Sequence, residues 1–281
     1  MIDEYNLVVS PETSRMMAET IKAVSDAGLK ATIVVVGISD NVADLIKGHQ
    51  SIIRCSEEIL MPRMKSAEMK ELIEKRVLKL GMTIEGNAKW KIINLSKGLP
   101  AFGHALGKAA VMSAIDARRL HVRETDVDSA IHELLNSSQH TLKAEYELAT
   151  HSNQEKARYR QILTACALAQ ADESGYFIPK QVQQPLSAIL GKTIGIDGFN
   201  DNLKDFTELR RGSVLQRVGV ARIYRYRFKN PAMQPFVIMK GIEDGFLDES
   251  AKRALSLPEQ GDLFATEPLP PSELYPTSGK F

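Results

Sequence analysis

Two adjacent carboxylates, Asp3 and Glu4, are the first side chains of this sequence that could support a reaction. They come directly after the apolar residues Met1 and Ile2, as at the end of a short strand. One carboxylate in that position can help to hold Mg²⁺, and its neighbour can polarise a water molecule for attack on a phosphate. Solvated surface acids are the ordinary alternative, so the assignment depends on the elements that follow.

The elements after the acids bring further polar residues to the same place. The spacing of apolar residues predicts a helix over 10–28, and the β-branched run ATIVVVG predicts a strand over 31–37 that is buried on both faces. Ser39 and Asp40 follow that strand. Because ligands bind at the carboxyl ends of strands in open α/β sheets, we expect these residues to belong to a ligand site. A candidate strand over 57–62 completes an α/β layer.

For the remainder of the chain the sequence predicts a helical bundle, a unit of helices with a β-hairpin, and a tail. Three helices followed by a β-hairpin and a closing helix describe a winged helix-turn-helix from residue 154 onward. The tail holds five of the twelve prolines and is predicted to be disordered. The predicted fold class is an α/β parallel sheet fragment, a helical bundle and a winged helix, with domains at 1–65, 66–150, 151–247 and 248–281. The predicted helices lie at 66–80, 86–97, 101–119, 125–139, 154–170, 179–190, 199–210 and 231–246, and the hairpin strands at 214–218 and 221–229.

A basic segment from 210 to 229 carries seven positive charges and no acid. In ARIYRYRFK the two-residue period of a strand separates the cations from Tyr224, Tyr226 and Phe228. We expect the aromatic face to pack on helices and the cationic face to contact DNA phosphates, with salt-dependent and largely sequence-independent affinity. A charged face that binds nothing, or that contacts protein, is the alternative. The candidate DNA-binding residues are Arg210, Arg211, Arg217, Arg222, Arg225, Arg227 and Lys229.

One stretch imitates a phosphate-binding loop. Gly191-Lys192-Thr193 supplies the last residues of the P-loop pattern GxxxxGK[ST], but Leu186 stands where the first glycine is required. The loop needs that glycine because its backbone amides must wrap around a phosphate. The sequence therefore contains no recognisable P-loop, and Gly191 is predicted to end a helix.

Composition narrows the possible functions without selecting one. A net charge of +1 gives no overall field, so any basic surface must be local. The two cysteines are far apart and the histidines lack ligand spacing, so neither a disulfide framework nor a Cys or His metal site is predicted. No apolar run approaches the roughly 20 residues that span a bilayer, and no signal peptide pattern is present. We expect a cytoplasmic protein with no membrane partner.

In their order and spacing these motifs resemble the C-terminal half of an AAA+ ATPase, above all the origin-recognition and replication-initiator type and bacterial ATP-binding proteins of similar build. IDEYN (2–6) looks like the Walker B motif, VVVGISDN (34–41) like the sensor 1 strand, and SIIR (51–54) like the arginine-finger region. The resemblance spans residues 1–246. It implies ATP and Mg²⁺ as cofactors, and neighbouring AAA+ subunits and DNA as partners.

The resemblance also implies roles for individual residues. Asp3 would help to hold Mg²⁺, and Glu4 would activate the attacking water. Ser39 or Asp40 would sense the γ-phosphate, and Arg54 would act on the ATP of a neighbouring subunit. ATP bound between subunits would then change how the winged helix grips DNA.

Two features depart from the family pattern. The helical lid, 66–139, should offer a sensor 2 arginine, but GLPA (98–101) has none, which leaves His104 or Lys108 to reach the nucleotide. Everything ahead of the Walker B motif, including the P-loop, is missing. We therefore expect a truncated or mis-started ATPase that does not bind ATP tightly as it stands.

The tail adds a second resemblance, and three rival interpretations stay open. QGDLF, with Gln260, Asp262, Leu263 and Phe264, resembles the sliding-clamp-binding peptide of bacterial replication proteins. The rivals are a non-enzymatic DNA-binding or adaptor protein with a remnant ATPase scaffold, a signal-transduction ATPase and a transposition-helper ATPase. DNA binding that ignores nucleotide would favour the first of these.

Overall fold

The computed structural model describes residues 1–8, 10–37, 54–59, 61–138, 140–153, 157–220 and 223–255. The chain divides into two compact units, Met1–Pro62 and Arg63–Phe281. The described residues are mostly helical, with one small parallel sheet and one antiparallel hairpin. Each unit has its own hydrophobic core.

The first unit is built on helix α1 (Pro11–Asp26). The helix begins where predicted because the Ser10 hydroxyl accepts a hydrogen bond from the Thr13 backbone N–H at 3.3 Å, and proline suits the first turn. Its core is small: Tyr5 and Ala18 are the only hydrophobic residues that are buried there in the described part of the chain.

A parallel contact joins the acidic segment to the run 31–37. The Ile2 N–H donates to the Val34 carbonyl, and the Ile2 carbonyl accepts from the Val36 N–H, both at 2.8 Å. Ile2 and Val35 are thus parallel neighbours. The predicted strand is reduced to this single bridge, because a regular strand needs pairing along its length and the described pairing is short.

The strand predicted over 57–62 is wrong for the described residues of that range. Residues 57–59 and 61–62 have no regular secondary structure, and all of them are exposed. An exposed extended segment leaves its backbone groups to water, so nothing in this environment selects a strand over irregular chain.

The second unit opens with a bundle of four helices that agrees closely with the predicted one, followed by a fifth helix that packs on the C-terminal elements. Leu95, Leu106 and Ile131 are fully buried at its centre. Pro100 occupies the first turn of the third helix, where its missing N–H costs nothing. The helices are α2 (Ser66–Lys79), α3 (Gly86–Ser96), α4 (Pro100–Asp116), α5 (Glu124–Ser137) and α6 (His140–Thr150).

Two very short parallel strands lie at one end of the bundle. Strand β1 (Thr83–Ile84) pairs with β2 (His121–Val122) in the register Thr83 to His121 and Ile84 to Val122. Each strand leads within two residues into the next helix of its segment, so the pairing aligns the starts of α3 and α5. This is the small parallel sheet of the molecule.

The C-terminal part of the second unit combines helices with an antiparallel hairpin. Helix 199–210 was predicted as one element, but it is short and is followed by a separate turn of 3-10 helix at Leu209–Arg211. Phe177 pairs with Tyr226 and adds a third extended segment beside the hairpin. The elements are α7 (Tyr159–Leu168), α8 (Pro179–Leu190), α9 (Asn200–Asp205), β3 (Leu215–Val218), β4 (Arg225–Phe228) and α10 (Met233–Glu243).

The segment predicted to be disordered begins with a helix. Helix α11 (Glu249–Leu255) lies within the range 248–281, and Leu255 is fully buried. The Leu255 carbonyl accepts a hydrogen bond from the Asn94 side-chain amide at 2.8 Å, which holds the helix end against α3. The burial of Leu255 and this hydrogen bond stabilise a helix at the start of a segment whose proline-rich composition predicted disorder.

The second unit anchors its own first residues firmly. The Met64 N–H donates to the Gly98 carbonyl at 2.9 Å, and the Arg63 guanidinium donates to the side chain of Gln234 at 2.6 Å and the Lys97 carbonyl at 3.3 Å. Burial lowers the pKa of Arg63. Since arginine stays charged in proteins, its buried hydrogen bonds are required rather than optional.

Candidate functional site

The predicted acids lie at the carboxyl end of the paired segment. Asp3 and Glu4 are exposed and follow Ile2, whose backbone is paired with the run 31–37. The Glu4 N–H donates to Asp3 Oδ1 at 2.8 Å, and Glu4 has a φ of 54°, in the left-handed region. A non-glycine residue in that region costs about 1 kcal/mol or more and is found most often at turns and functional sites.

The residues predicted to complete this site are described only in part. Ser39 and Asp40 lie outside the described residues. Arg54 is described and exposed, at the start of the stretch 54–59. Within the described parts of the chain, no three His, Cys, Asp or Glu side chains are grouped so that they could hold a metal ion.

His104 and Lys108 lie on helix α4, four residues apart, and are both exposed. Residues at this spacing share one face of a helix, so the two side chains are neighbours on the surface of the bundle. Both are accessible to a ligand, and their role in nucleotide binding stays a prediction.

The hairpin alternates as its sequence predicts. Tyr226 and Phe228 are buried in the core, whereas Arg225 and Arg227 on the same strand are partly exposed. Phe177 stacks on Tyr226 with ring centroids 6.3 Å apart. The aromatic side of β4 therefore holds the hairpin on the helices, and the cationic side faces outward.

Two of the outward-facing arginines are engaged by contacts within the protein. Arg225 lies 3.3 Å from the carboxylate of Asp172, and Arg227 donates to Gln216 at 3.1 and 3.2 Å. Both guanidinium groups also lie over the ring of Tyr176, 4.9 and 4.6 Å from its centroid. Such contacts fix the direction of both guanidinium groups, and the Asp172 carboxylate offsets the charge of Arg225.

Two other candidates are engaged by contacts within the protein. Arg210 forms ion pairs of 2.5 Å with Asp205 and with Glu208. Arg211 lies over the Tyr159 ring, 3.8 Å from its centroid, and donates to the His151 carbonyl. Arg210 thus pairs within α9 and the turn after it, whereas Arg211 connects that turn to the start of α7 and the residue after α6.

Arg217 and Lys229 are the hairpin cations that remain available. Both are exposed and line a groove of about 310 Å³ together with Thr207, Ser213 and Gln216. Arg217 stacks on the Tyr224 ring at 4.4 Å, which holds its guanidinium in place without neutralising it. No carboxylate within the described residues pairs with either cation. Arg222 lies outside the described residues.

The partners of the outward arginines were not predicted from the sequence; they are Asp172, Tyr176 and Gln216. Asp172 and Tyr176 come from the loop before α8, some fifty residues before the hairpin in sequence. The alternation in β4 predicts which side chains point outward but carries no information about a distant loop. Gln216 also could not be found, because a tight turn at Gly219 would place it opposite Ile223, whereas the observed register places it opposite Arg227.

The peptide Gln260, Asp262, Leu263 and Phe264 lies outside the described residues. Among the helices that the structure does describe, none is long and apolar enough to cross a bilayer.

Comparison with known proteins gives similarity to solved structures only. No protein-family model matches the sequence, and no curated protein matches it. Two mutant forms of RuvB from Thermotoga maritima are similar at 16% and 13% identity, covering 82% and 83% of this chain and 67% and 76% of theirs. Cdc6p from Pyrobaculum aerophilum is similar at 12% identity, covering 88% of this chain and 66% of its own. The TM-score is 0.39 in each case.

Proposed function

We propose that this chain is an AAA+ module that grips the backbone of DNA through a winged helix formed by α7 to α10. The nucleotide site of the module is the acidic end of the Ile2 segment. The winged-helix assignment is supported by the order of three helices, hairpin and closing helix, and by the extra extended segment at Phe177. Sequence-specific reading is not part of the proposal.

The DNA-binding part depends most on the pair Arg217 and Lys229. They share one polar groove at the hairpin, and their charges are not offset by a described carboxylate. An exposed cation held by an aromatic ring and a second cation directly after the neighbouring strand suit phosphate oxygens. The other hairpin cations, apart from Arg222, are engaged by acids, carbonyls or Gln216, so these two carry the proposal.

The nucleotide part depends on the parallel pairing of Ile2 with Val35. That pairing puts the carboxylate of Asp3 at the carboxyl end of a parallel segment, where an oxygen ligand suits Mg²⁺. In this proposal Asp3 holds the ion, and Glu4 polarises the attacking water. Bound Mg²⁺ supplies charge neutralisation at the phosphates. Arg54, Ser39, Asp40, His104 and Lys108 keep the roles predicted from the family resemblance.

The salt dependence of DNA binding tests the first part. We expect Arg217→Ala combined with Lys229→Ala to weaken binding of a fluorescent duplex and to reduce the slope of log K against log salt by about 2, since each lost phosphate contact removes about one. Arg210→Ala is the matched control, because its guanidinium already faces Asp205 and Glu208. An unchanged slope in the double variant, with the fold intact, would contradict the proposal.

ATP hydrolysis tests the nucleotide part of the proposal. The measurement uses a longer polypeptide in which a phosphate-binding loop precedes this sequence. We expect Glu4→Gln to abolish ATP hydrolysis there while ATP binding is retained. Glu12→Gln, in the exposed first turn of α1, is the control and should hydrolyse normally. Normal hydrolysis by the Glu4 variant would show that the acid pair is not a Walker B motif.

A non-enzymatic DNA-binding adaptor is the second candidate function. It is favoured by one observation, the lack of a GxxxxGK[ST] match in this sequence. An adaptor predicts the same effect of the Arg217 and Lys229 substitutions on DNA binding. It differs in predicting that added ATP and Mg²⁺ leave the DNA affinity unchanged.

A further inference from the structure

An apolar surface lies at the end of the bundle where α2 and α4 finish. Leu78, Leu80 and Leu120 are 74%, 59% and 70% exposed. Single exposed leucines are ordinary, but several in one place mark a docking surface. We name this surface the leucine end.

The pairing of β1 with β2 brings these leucines together. The Thr83 N–H donates to the Leu120 carbonyl at 3.0 Å, and Thr83 is the register partner of His121. Continuing this register backwards places Leu120 beside Met82 and Arg118 beside Leu80, so Leu80 and Leu120 precede neighbouring strands at the same end of the bundle. Leu78 is in the last turn of α2, two residues before Leu80.

The leucine end is also cationic. Arg76, Lys79 and Arg118 are exposed and lie among the same residues, at the ends of α2 and α4. None of the three forms an ion pair with the described part of the chain. A partner for this surface should therefore combine apolar anchors with negative charge.

The C-terminal segment of the same chain has that composition. Residues 256–281 contain four acids and one lysine. Leu263, Phe264, Leu269 and Leu274 are interspersed with Asp262, Glu267 and Glu273. The acids alternate with apolar groups at short intervals, as required to meet a leucine surface bordered by cations.

The C-terminal segment starts close enough to the leucine end to reach it. Leu255 is hydrogen-bonded to Asn94 on α3. The path from there back along α3 to Ile84 is about 15 Å, at 1.5 Å per residue. Four extended residues from Ile84 to Leu80 add about 13 Å. An extended chain of fourteen residues, from Leu255 to Leu269, spans up to about 46 Å, so the segment can reach the leucine end.

We propose that residues 262–275 dock on the leucine end of their own chain, with leucine and phenylalanine side chains covering Leu78, Leu80 and Leu120 and the acids facing Arg76, Lys79 and Arg118. Docking would occupy Leu263 and Phe264 and so withhold QGDLF from any other protein. The inference does not depend on the proposed DNA or nucleotide function.

A spin label in the tail tests the proposal in the full chain. Thr266→Cys is labelled in a Cys55→Ser background, since Cys166 is fully buried and burial raises the pKa of its thiol, which keeps it unreactive. We expect loss of the methyl NMR signals of Leu80 and Leu120 and their recovery when the label is reduced. Leu209, 86% exposed near the hairpin, should keep its signal.

Two further experiments distinguish docking within one chain from the alternatives: charge reversal at the leucine end, and mixing of isotope-labelled with spin-labelled chains. Lys79→Glu with Arg118→Glu should restore the Leu80 and Leu120 signals, while unchanged signals from buried leucines report an intact fold. Retained Leu80 and Leu120 signals in the labelled parent would overturn the proposal, as would equal loss at Leu209. Signal loss in isotope-labelled chains mixed with separate spin-labelled chains would show docking between copies and would also overturn it.

Discussion

Asp126 shows what one buried carboxylate does for the bundle. The side chain is 2% exposed and accepts hydrogen bonds from Arg119 at 2.6 and 2.8 Å, from Ser113 at 3.0 Å and from the Arg123 N–H at 2.8 Å. These bonds, led by that from Arg119, lower its pKa to about 2. The charge connects the end of α4 to the first turn of α5.

At the residue scale we predict that Asp126→Asn destabilises the protein by about 2 to 3 kcal/mol, because a partly buried arginine loses its ionised partner. The ionised carboxylate stabilises the fold fully above its unfolded pKa, near 3.9. That stability should be lost as the pH falls from about 4 through 2, the native pKa. Urea unfolding between pH 2 and 7 measures both effects.

Asp116→Asn is the control for this prediction. Asp116 ends α4 and is exposed, so its replacement should change the free energy of unfolding little. Equal effects of the two substitutions would mean that the Arg119 pair contributes nothing to stability.

At the scale of elements, local signals fixed some boundaries and missed others. Helix 179–190 was predicted to the residue, because proline starts it and Gly191 ends it in a left-handed conformation with φ of 63°. Helix α11 was not predicted, because it is stabilised by a tertiary contact, the burial of Leu255. The run 31–37 was predicted from its own residues, but a regular strand also depends on its neighbours.

In the candidate site, too, local features were predictable from the sequence and contacts between distant residues were not. Alternation in β4 separates Tyr226 from Arg227, and the structure agrees. Nothing local shows that Arg211 contacts a carbonyl of His151, sixty residues earlier. The acids near Arg210, at Asp205 and Glu208, were visible in the sequence and could have indicated that this arginine is paired.

Gly98 provides a prediction at the element scale. Its φ is 73°, and an added Cβ would meet the Met64 carbonyl oxygen at 2.7 Å and the Arg63 Cβ at 2.9 Å. Gly98→Ala should therefore lower the free energy of unfolding by about 2 to 4 kcal/mol, from left-handed strain plus a clash with backbone. Chemical denaturation of the variant measures the loss.

Gly81→Ala separates the two contributions. Gly81 has a φ of 68°, but nothing lies within 4 Å of its added Cβ. Only the conformational cost, about 1 to 2 kcal/mol, should appear. If both alanine variants were equally stable, the close approach of Met64 to Gly98 would have no energetic weight.

The whole molecule contains two cores of very different size. Within the described residues, the first unit buries only Tyr5 and Ala18 as hydrophobic side chains, whereas the core of the second unit extends from Met69 to Leu255. Val34 and Val36, in the run 31–37, remain 45% and 42% exposed. A unit with few buried contacts opens at low free energy.

We therefore predict that limited proteolysis of the full chain cleaves within 1–62 well before it cleaves within the bundle, 66–137. Mass spectrometry of a time course identifies the cut sites, and fragments that begin near residue 63 should accumulate. Simultaneous cleavage in both ranges would show that the small core of the first unit does not limit its stability.

The anchoring of Arg63 has one more consequence. The first two residues of the second unit are fastened to Lys97, Gly98 and Gln234. These bonds hold the backbone of the second unit in place from its first residue, so the free torsion angles nearest to it are those of residues before 63. Pro62 cannot rotate about φ, so the nearest free backbone torsions before Arg63 are ψ of Pro62 and both torsions of Met61.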